Sequence, residues 1–239
     1  MKKIMVAAVA VAAFCSAPVL AADMPTKNPV YKTAAAPVFN WTGFYVGADA
    51  GYLWSDTAWT YPGVGGVGTS RPEPKDFLAG GHVGYRYQFP SNIVAGIELD
   101  ASHIFGGKTS APIPGPSPAG QFLDLKWTGS VRGQLGVASG PLLAYVTGGA
   151  AVIALKGCTQ ATVGAPCIAG DIFSDDRWGW TIGGGLDYAL AGNWSARVEY
   201  LFADYGARTY ATGAGAGLVR VDLRTNVVRG GLSYKFGSY

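Results

Sequence analysis

The stretch WTGFYVGADAGYLW, residues 41 to 54, sorts into two sets when every second residue is read. Thr42, Phe44, Val46, Ala48, Ala50, Tyr52 and Trp54 make one set. Trp41, Gly43, Tyr45, Gly47, Asp49, Gly51 and Leu53 make the other. A period of two is the signature of a β-strand, whose successive side chains point to opposite faces. Glycine and aspartate normally weaken strands. The pattern therefore demands a sheet with one apolar face and one face where small residues have a use.

The same period recurs along the chain. It runs through FLAGGHVGYRYQF (77–89), IVAGIELDASHIF (93–105), FLDLKWTGSVRGQLGV (122–137), RWGWTIGGGLDYAL (177–190), WSARVEYLFADY (194–205) and RTNVVRGGLSYKF (224–236). LLAYVTGGAAVIAL (142–155) fits as a further strand with blurred alternation. As a helix it would reach only about 21 Å, too short for a membrane. In the 122–137 strand, Leu123, Leu125, Trp127 and Val131 are expected on the apolar face, opposite Asp124, Lys126, Ser130 and Arg132.

Eight strands follow, joined alternately by short and long connections. The short ones are 90–92, 138–141 and 191–193; the long ones are about 55–76, 106–121, 157–176 and 206–223. That asymmetry is the plan of an all-β, eight-stranded antiparallel up-and-down transmembrane β-barrel. A soluble barrel would turn its polar face to water. Three features oppose that. Large aromatics (Phe44, Tyr52, Trp54, Phe89, Trp178, Trp180, Trp194, Tyr234, Phe236) cluster toward the strand ends on the apolar face, like two interfacial girdles. The polar face is rich in glycine, of which the chain has 36, and only 14% of residues are charged. Its charges come in both signs, as an enclosed network needs. Glycines 43, 47 and 51 are then expected to face a narrow lumen, making room for long neighbours such as Arg86, Arg132 and Arg197.

The amino terminus reads as an address. MKKIMVAAVAVAAFCSAPVLAADMP has a charged start, an apolar run and a small-residue site, which predicts a signal peptide over 1–21 cut between Ala21 and Ala22. Residues 22–40, with three prolines, are expected to form a periplasmic linker, and 41–239 the barrel. Cys158 and Cys167 remain after cleavage, in an oxidising compartment. CTQATVGAPC lies in a long connection, where Gly164 and Pro166 ease a turn, so a disulfide is expected.

Ala36-Pro37-Val38 with WTGFYVGADAGY resembles the start of the small porin-like outer-membrane barrels of alphaproteobacteria, which include surface antigens. WTGSVRGQLG (127–136), LLAYVTGGAAV (142–152), GWTIGGGLDYAL (179–190), WSARVEYLFADYG (194–206) and NVVRGGLSYKF (226–236) extend the resemblance over essentially the whole mature chain. It implies an outer-membrane location, with linker and carboxyl terminus periplasmic. Outer-membrane lipids and the barrel-assembly machinery are the implied partners. Members are described as porins, as structural or surface-antigen proteins, and in some cases as haem-binding or envelope-stabilising. The family usually ends at the aromatic here numbered Phe236. This chain continues to Tyr239, so either residue could serve as the assembly signal.

Candidate chemistry is sparse. Ser102-His103 with Glu98 suggests hydrolysis, but adjacent strand residues face opposite sides, and His82 reaches Ser102 only in one register. No catalytic set, metal site or cofactor is expected, and no Lys/Arg block suggests nucleic acid. The constellation that stands out is Arg86, Lys126, Arg132, Arg197 and Arg229 against Glu98, Asp100, Asp187 and Glu199. It reads as a lumen salt-bridge plug or a narrow ion path. The expected role is a surface and structural barrel with at most narrow-pore activity. A porin for small solutes, and a ligand-binding or adhesive protein acting through its long loops, are the alternatives. A homo-oligomer and an extracellular ligand stay open at this level.

Overall fold

The computed structural model describes residues 39–61, 68–113, 118–169, 172–212 and 217–237. The expected signal peptide with its Ala21/Ala22 cleavage point, the linker up to residue 38, and Tyr239 lie outside them.

Among the described residues nine strands follow in order: β1 (Gly43–Tyr61), β2 (Gly68–Ser70), β3 (Lys75–Gln88), β4 (Ile93–Pro112), β5 (Gly120–Ser139), β6 (Leu142–Gln160), β7 (Phe173–Ala189), β8 (Trp194–Thr212) and β9 (Gly217–Lys235). Every pairing is antiparallel, and β1 pairs with both β3 and β9, so the sheet closes. The short β2 pairs only with the far end of β1. The eight-stranded ring expected from the sequence is therefore present, with β2 as an added hairpin arm. Closure gives every stave a partner on both sides, which membrane burial requires. Each short turn uses a residue in the left-handed region: Asn92, Gly140 and Gly192, with φ of 62°, 58° and 67°.

The register fixes the barrel's shape. From Gly43 the partners run Arg86, Gly96, Gln134, Thr147, Gly183, Leu201 and Val227, and the circuit returns to β1 at Leu53. One circuit thus climbs ten residues. With eight strands this stagger gives a tilt of about 40° and a backbone radius of about 8 Å. Such a lumen has room for side chains and little else.

Two aromatic belts ring the outside. Near the short turns, Phe44 packs on Tyr85 (4.7 Å), Tyr87 on Phe89 (4.9 Å) and Trp194 on Tyr234 (5.2 Å). Eight to ten residues along β1 from Phe44 lies the second belt, with Tyr52 on Phe77 (5.3 Å), Trp54 by Tyr200 (6.4 Å) and Trp180 on Phe202 (5.6 Å). At this tilt the belts enclose a band about 25 Å tall, the height of a bilayer's apolar layer.

The strands do not stop at the second belt, which corrects the expectation of four long loops. Much of 55–76, 106–121, 157–176 and 206–223 is strand. Along β9 the period of two is unbroken, but its polarity inverts. Arg229, Ser233 and Lys235 face inward and Val228, Leu232 and Phe236 outward. Beyond Asn226, Val219, Val221 and Leu223 turn inward while Arg220 and Arg224 face out. The barrel thus extends roughly 15–20 Å past the band as a head with a water-facing exterior.

The interior of that head is apolar. Leu53, Trp59, Tyr61, Leu78, Ile104, Leu123, Leu125, Ile153, Leu155, Val221 and Leu223 form one buried cluster. Leu123 and Leu125 were expected on the lipid face. A register irregularity between Leu125 and Trp127 corrects this. The extra residue there, Lys126, resets the phase, so the leucines below it in sequence point inward and Lys126 points out. Asp124 likewise belongs outside, paired with Lys126 at 2.6 Å.

At the short-turn end a second cluster closes the lumen: Phe39, Trp41, Val94, Ala138, Leu143, Tyr145 and Ala189. Phe39, expected in the linker, is instead packed against Trp41 at 4.7 Å. Trp41 is tied by its backbone N–H to Gln88 Oε1 (2.9 Å).

Candidate functional site

Between the two apolar clusters lies a charged layer. Its ion pairs begin with strand register. Glu98 stands directly opposite Arg132, Glu199 opposite Arg229, and Asp187 opposite Arg197. All these positions fall on the inward set, so each neighbouring pair brings opposite charges together.

Every carboxylate then meets at least two basic side chains. Glu98 takes Arg132 (2.6 Å) and Arg197 (2.8 Å); Glu199 takes Arg132 (3.1 Å) and Arg229 (2.7 Å). Asp100 takes Arg132 and Arg229, both at 2.8 Å. Asp187 takes Arg86 (2.6 Å) and Arg197 (3.4 Å). Asp49 takes His82 (2.9 Å) and Arg229 (3.5 Å). Hydroxyls fill remaining lone pairs: Tyr45 donates to Glu98 (2.7 Å), Tyr145 to Glu199 (3.1 Å) and Ser130 to Asp100 (3.0 Å). The Arg86 guanidinium lies 4.5 Å from the Tyr45 ring centroid. Shared carboxylates and added donors are what a desolvated charge cluster needs in order to hold.

Glycine makes the layer possible. A Cβ at Gly84 would overlap the Tyr45 hydroxyl, and one at Gly185 would stand 2.7 Å from that of Tyr145. Inward glycines thus give long polar side chains their room.

Eight of the nine charged residues singled out in the sequence meet in this layer: Arg86, Glu98, Asp100, Arg132, Asp187, Arg197, Glu199 and Arg229. Lys126 does not, because of the β5 bulge. Sequence reasoning left Asp49, Tyr45 and Tyr145 out of this constellation, and weighed His82 only as a partner for Ser102. Their inward parity was readable, but a lone Asp or His on a strand gives no sign of which arginine it will meet.

His82 also receives or donates a hydrogen bond at Nε2 with Ser233 Oγ (2.8 Å), while Nδ1 faces Asp49. Asp49, His82 and Ser233 thus have the connectivity of a hydrolase triad. All three are buried in the lumen, and the cavity lined by Asp100, Ser102 and Arg229 beside them has a volume of about 30 Å³, enough for one or two waters and no substrate. Of the other triad candidates, Ser102 faces inward, 3.4 Å from Asp49, and His103 faces outward against Phe105 (5.3 Å).

At the head, Cys158 at the end of β6 is joined to Cys167, with Cα atoms 5.7 Å apart. Gln160 braces the same tip, donating to the Ala165 carbonyl (2.6 Å) and accepting from the Gly164 N–H (3.2 Å). Phe173 stacks on Tyr210 at 4.4 Å, and the Tyr210 hydroxyl donates to Asp175 (2.6 Å). Burial, with that hydrogen bond, pushes the Tyr210 phenol up to about 12. At the opposite end the Phe236 N–H donates to the Phe44 carbonyl (2.8 Å), which places the aromatic of the expected assembly signal in the girdle near the short turns.

The family match and the sequence relatives agree with this architecture. A family model described as "Outer membrane protein beta-barrel domain" matches residues 7–236. The 31 kDa outer-membrane immunogenic protein of Brucella melitensis is 32% identical over 99% of this chain and 100% of its own. The 22 kDa outer membrane protein of Rhizobium leguminosarum is 29% identical over 84% of this chain and 80% of its own. Among solved structures, OprG of Pseudomonas aeruginosa covers 83% of this chain and 98% of its own, at 15% identity and a TM-score of 0.48. The chain is a β-barrel protein of the bacterial outer membrane and belongs to the outer membrane protein β-barrel domain family.

Proposed function

We propose that the protein is a sealed surface barrel: a structural element of the outer membrane that presents a rigid β-head, tipped by the disulfide hairpin, to the outside of the cell. The short turns, the linker and the carboxyl terminus are periplasmic in this reading. The observation that carries it is the stacking of three closures in one lumen. The Trp41 cluster, the arginine–carboxylate layer and the apolar cluster around Trp59 and Leu125 lie in series. A solute would have to displace all three. The names of relatives as immunogenic outer-membrane proteins support exposure of the head.

Labelling with a membrane-impermeant maleimide tests the orientation. Ser174→Cys, exposed on β7 in the head, is expected to react on intact cells. Ser91→Cys, exposed in a short turn, is expected to react only after the outer membrane is opened. The reverse pattern would refute the assignment.

A further inference from the structure

Just beyond the second aromatic belt, both β4 and β5 carry a register irregularity at the same height, between His103 and Gly107 and between Leu125 and Trp127. Bulges re-aim side chains and often sit beside functional sites. Here they bring three lysines onto one patch of the outer wall. Lys126 projects from the β5 bulge. Asp124 stands directly opposite Lys108 of β4 and directly opposite Lys156 of β6. Three cations therefore surround one carboxylate that is itself only 6% exposed.

The rest of the rim is arranged differently. Four of the cations there have an acid of their own: Arg208 with Asp175 (3.0 Å), Arg224 with Asp204 (3.0 Å), Lys75 with Glu73 (3.3 Å) and Arg220 with Asp222 (3.8 Å). In the patch, Asp124 pairs with Lys126 alone, and among the described residues neither Lys108 nor Lys156 has a carboxylate within ion-pair range. Asp176, the nearest acid of β7 on the outward set, lies opposite Ala154, one outward position nearer the band than Lys156, and Asp175 is paired with Arg208.

Height identifies what the lysines face. Phe105 and Trp127 are the last large apolar side chains to stand well exposed on the outer faces of β4 and β5, at 65% and 41%. Lys126 adjoins Trp127 in the bulge. At the barrel's tilt, an outward step of two residues rises about 5 Å. The ammonium groups thus sit at the level of lipid headgroups, with their stems free to lie along the wall. Lysine binds phosphate as a point charge and asks for no fixed geometry, which suits a fluid ligand.

We propose that Lys108, Lys126 and Lys156 form a docking site for the phosphate of an anionic lipid headgroup in the surrounding leaflet, with Trp127 and Phe105 against the lipid's acyl chains. The bulges serve to converge the three charges at headgroup height.

The test uses the refolded full chain in non-ionic micelles, with bound lipid read by native mass spectrometry. The probes are phosphatidic acid, phosphatidylcholine and inorganic phosphate. Phosphatidic acid is expected to be retained at least tenfold over phosphatidylcholine. Each lysine-to-glutamine change is expected to weaken retention about fivefold, and Asp124→Asn to strengthen it. Arg208→Gln, at a paired cation elsewhere on the rim, is expected to change nothing. Heat-modifiable migration checks that each variant is folded. Should the triple lysine variant fail to fold, the single variants and Asp124→Asn still decide. Equal retention of both lipids, or unchanged retention in the lysine variants, would overturn the site. Competition by inorganic phosphate at the same concentration as lipid would overturn the lipid as its occupant.

Discussion

Arg132 reaches across to Glu98, its direct partner on the neighbouring strand, with Nη2 and Oε1 2.6 Å apart and both side chains fully buried. The same guanidinium also holds Asp100 and Glu199. Removing Glu98 would leave Arg132 and Arg197 short of countercharge in a closed lumen. Glu98→Ala should therefore cost about 3–5 kcal/mol, the usual penalty for breaking a buried pair. Val131→Ala, on the lipid side of β5 beside Arg132, should cost less than about 1.5 kcal/mol. Urea unfolding of refolded protein in lipid vesicles distinguishes them. Equal losses would mean that the two faces are misassigned.

Glycines should divide into two classes. Gly84→Ala would drive a methyl into the Tyr45 hydroxyl and the Ile97 carbonyl, so it is expected to destabilise by about 1–3 kcal/mol. Gly133 faces outward, and the nearest atom to a new Cβ there is 3.9 Å away. Gly133→Ala is expected to be neutral or mildly stabilising. Urea midpoints for the two variants check this directly.

Much of this was legible in the alternation. WTGFYVGADAGYLW shows which face holds glycine, and with it the lumen, because closing a small barrel leaves no other use for so many small residues. The family resemblance in the same stretch points to the same fold. The head was less legible. LVRVDLR alternates cleanly from 218 to 224, but with apolar residues inward, and it is read as loop if one apolar face is expected to run the whole strand. Lys126 was misplaced for a related reason. A bulge costs one residue of phase, and nothing in FLDLKWTG distinguishes a bulged lysine from an inward one. Which arginine meets which acid depends on the ten-residue stagger, which only the closed structure reveals.

The disulfide should matter to the hairpin and not to the barrel. Closing the short loop from Cys158 to Cys167 restricts the unfolded chain by about 2.7 kcal/mol in the chain-entropy model. The strands are held by the closed ladder. Cys158→Ser is expected to assemble with normal heat-modifiable migration while its tip becomes cleavable by added protease. Failure to assemble would contradict this division.

Alkaline pH should loosen the head. The Tyr210 phenol, raised by burial from 10.0 to about 12, favours its protonated form in the folded state. A raised folded pKa contributes stability that is complete below the unfolded value and is lost as pH rises through the folded one. The contact with Asp175 and Phe173 should therefore weaken between about pH 10 and 12. Tyrosine absorbance followed against protease sensitivity of the head tests this. Tyr210→Phe is expected to remove the step, and an identical step in that variant would assign it elsewhere.

Single-channel recording in planar bilayers is the most direct test of a lumen closed by three successive layers. Refolded protein, inserted and verified by heat-modifiability, is expected to give no resolved conductance steps. Regular, ohmic steps from the unmodified chain would contradict the sealed barrel and favour a porin.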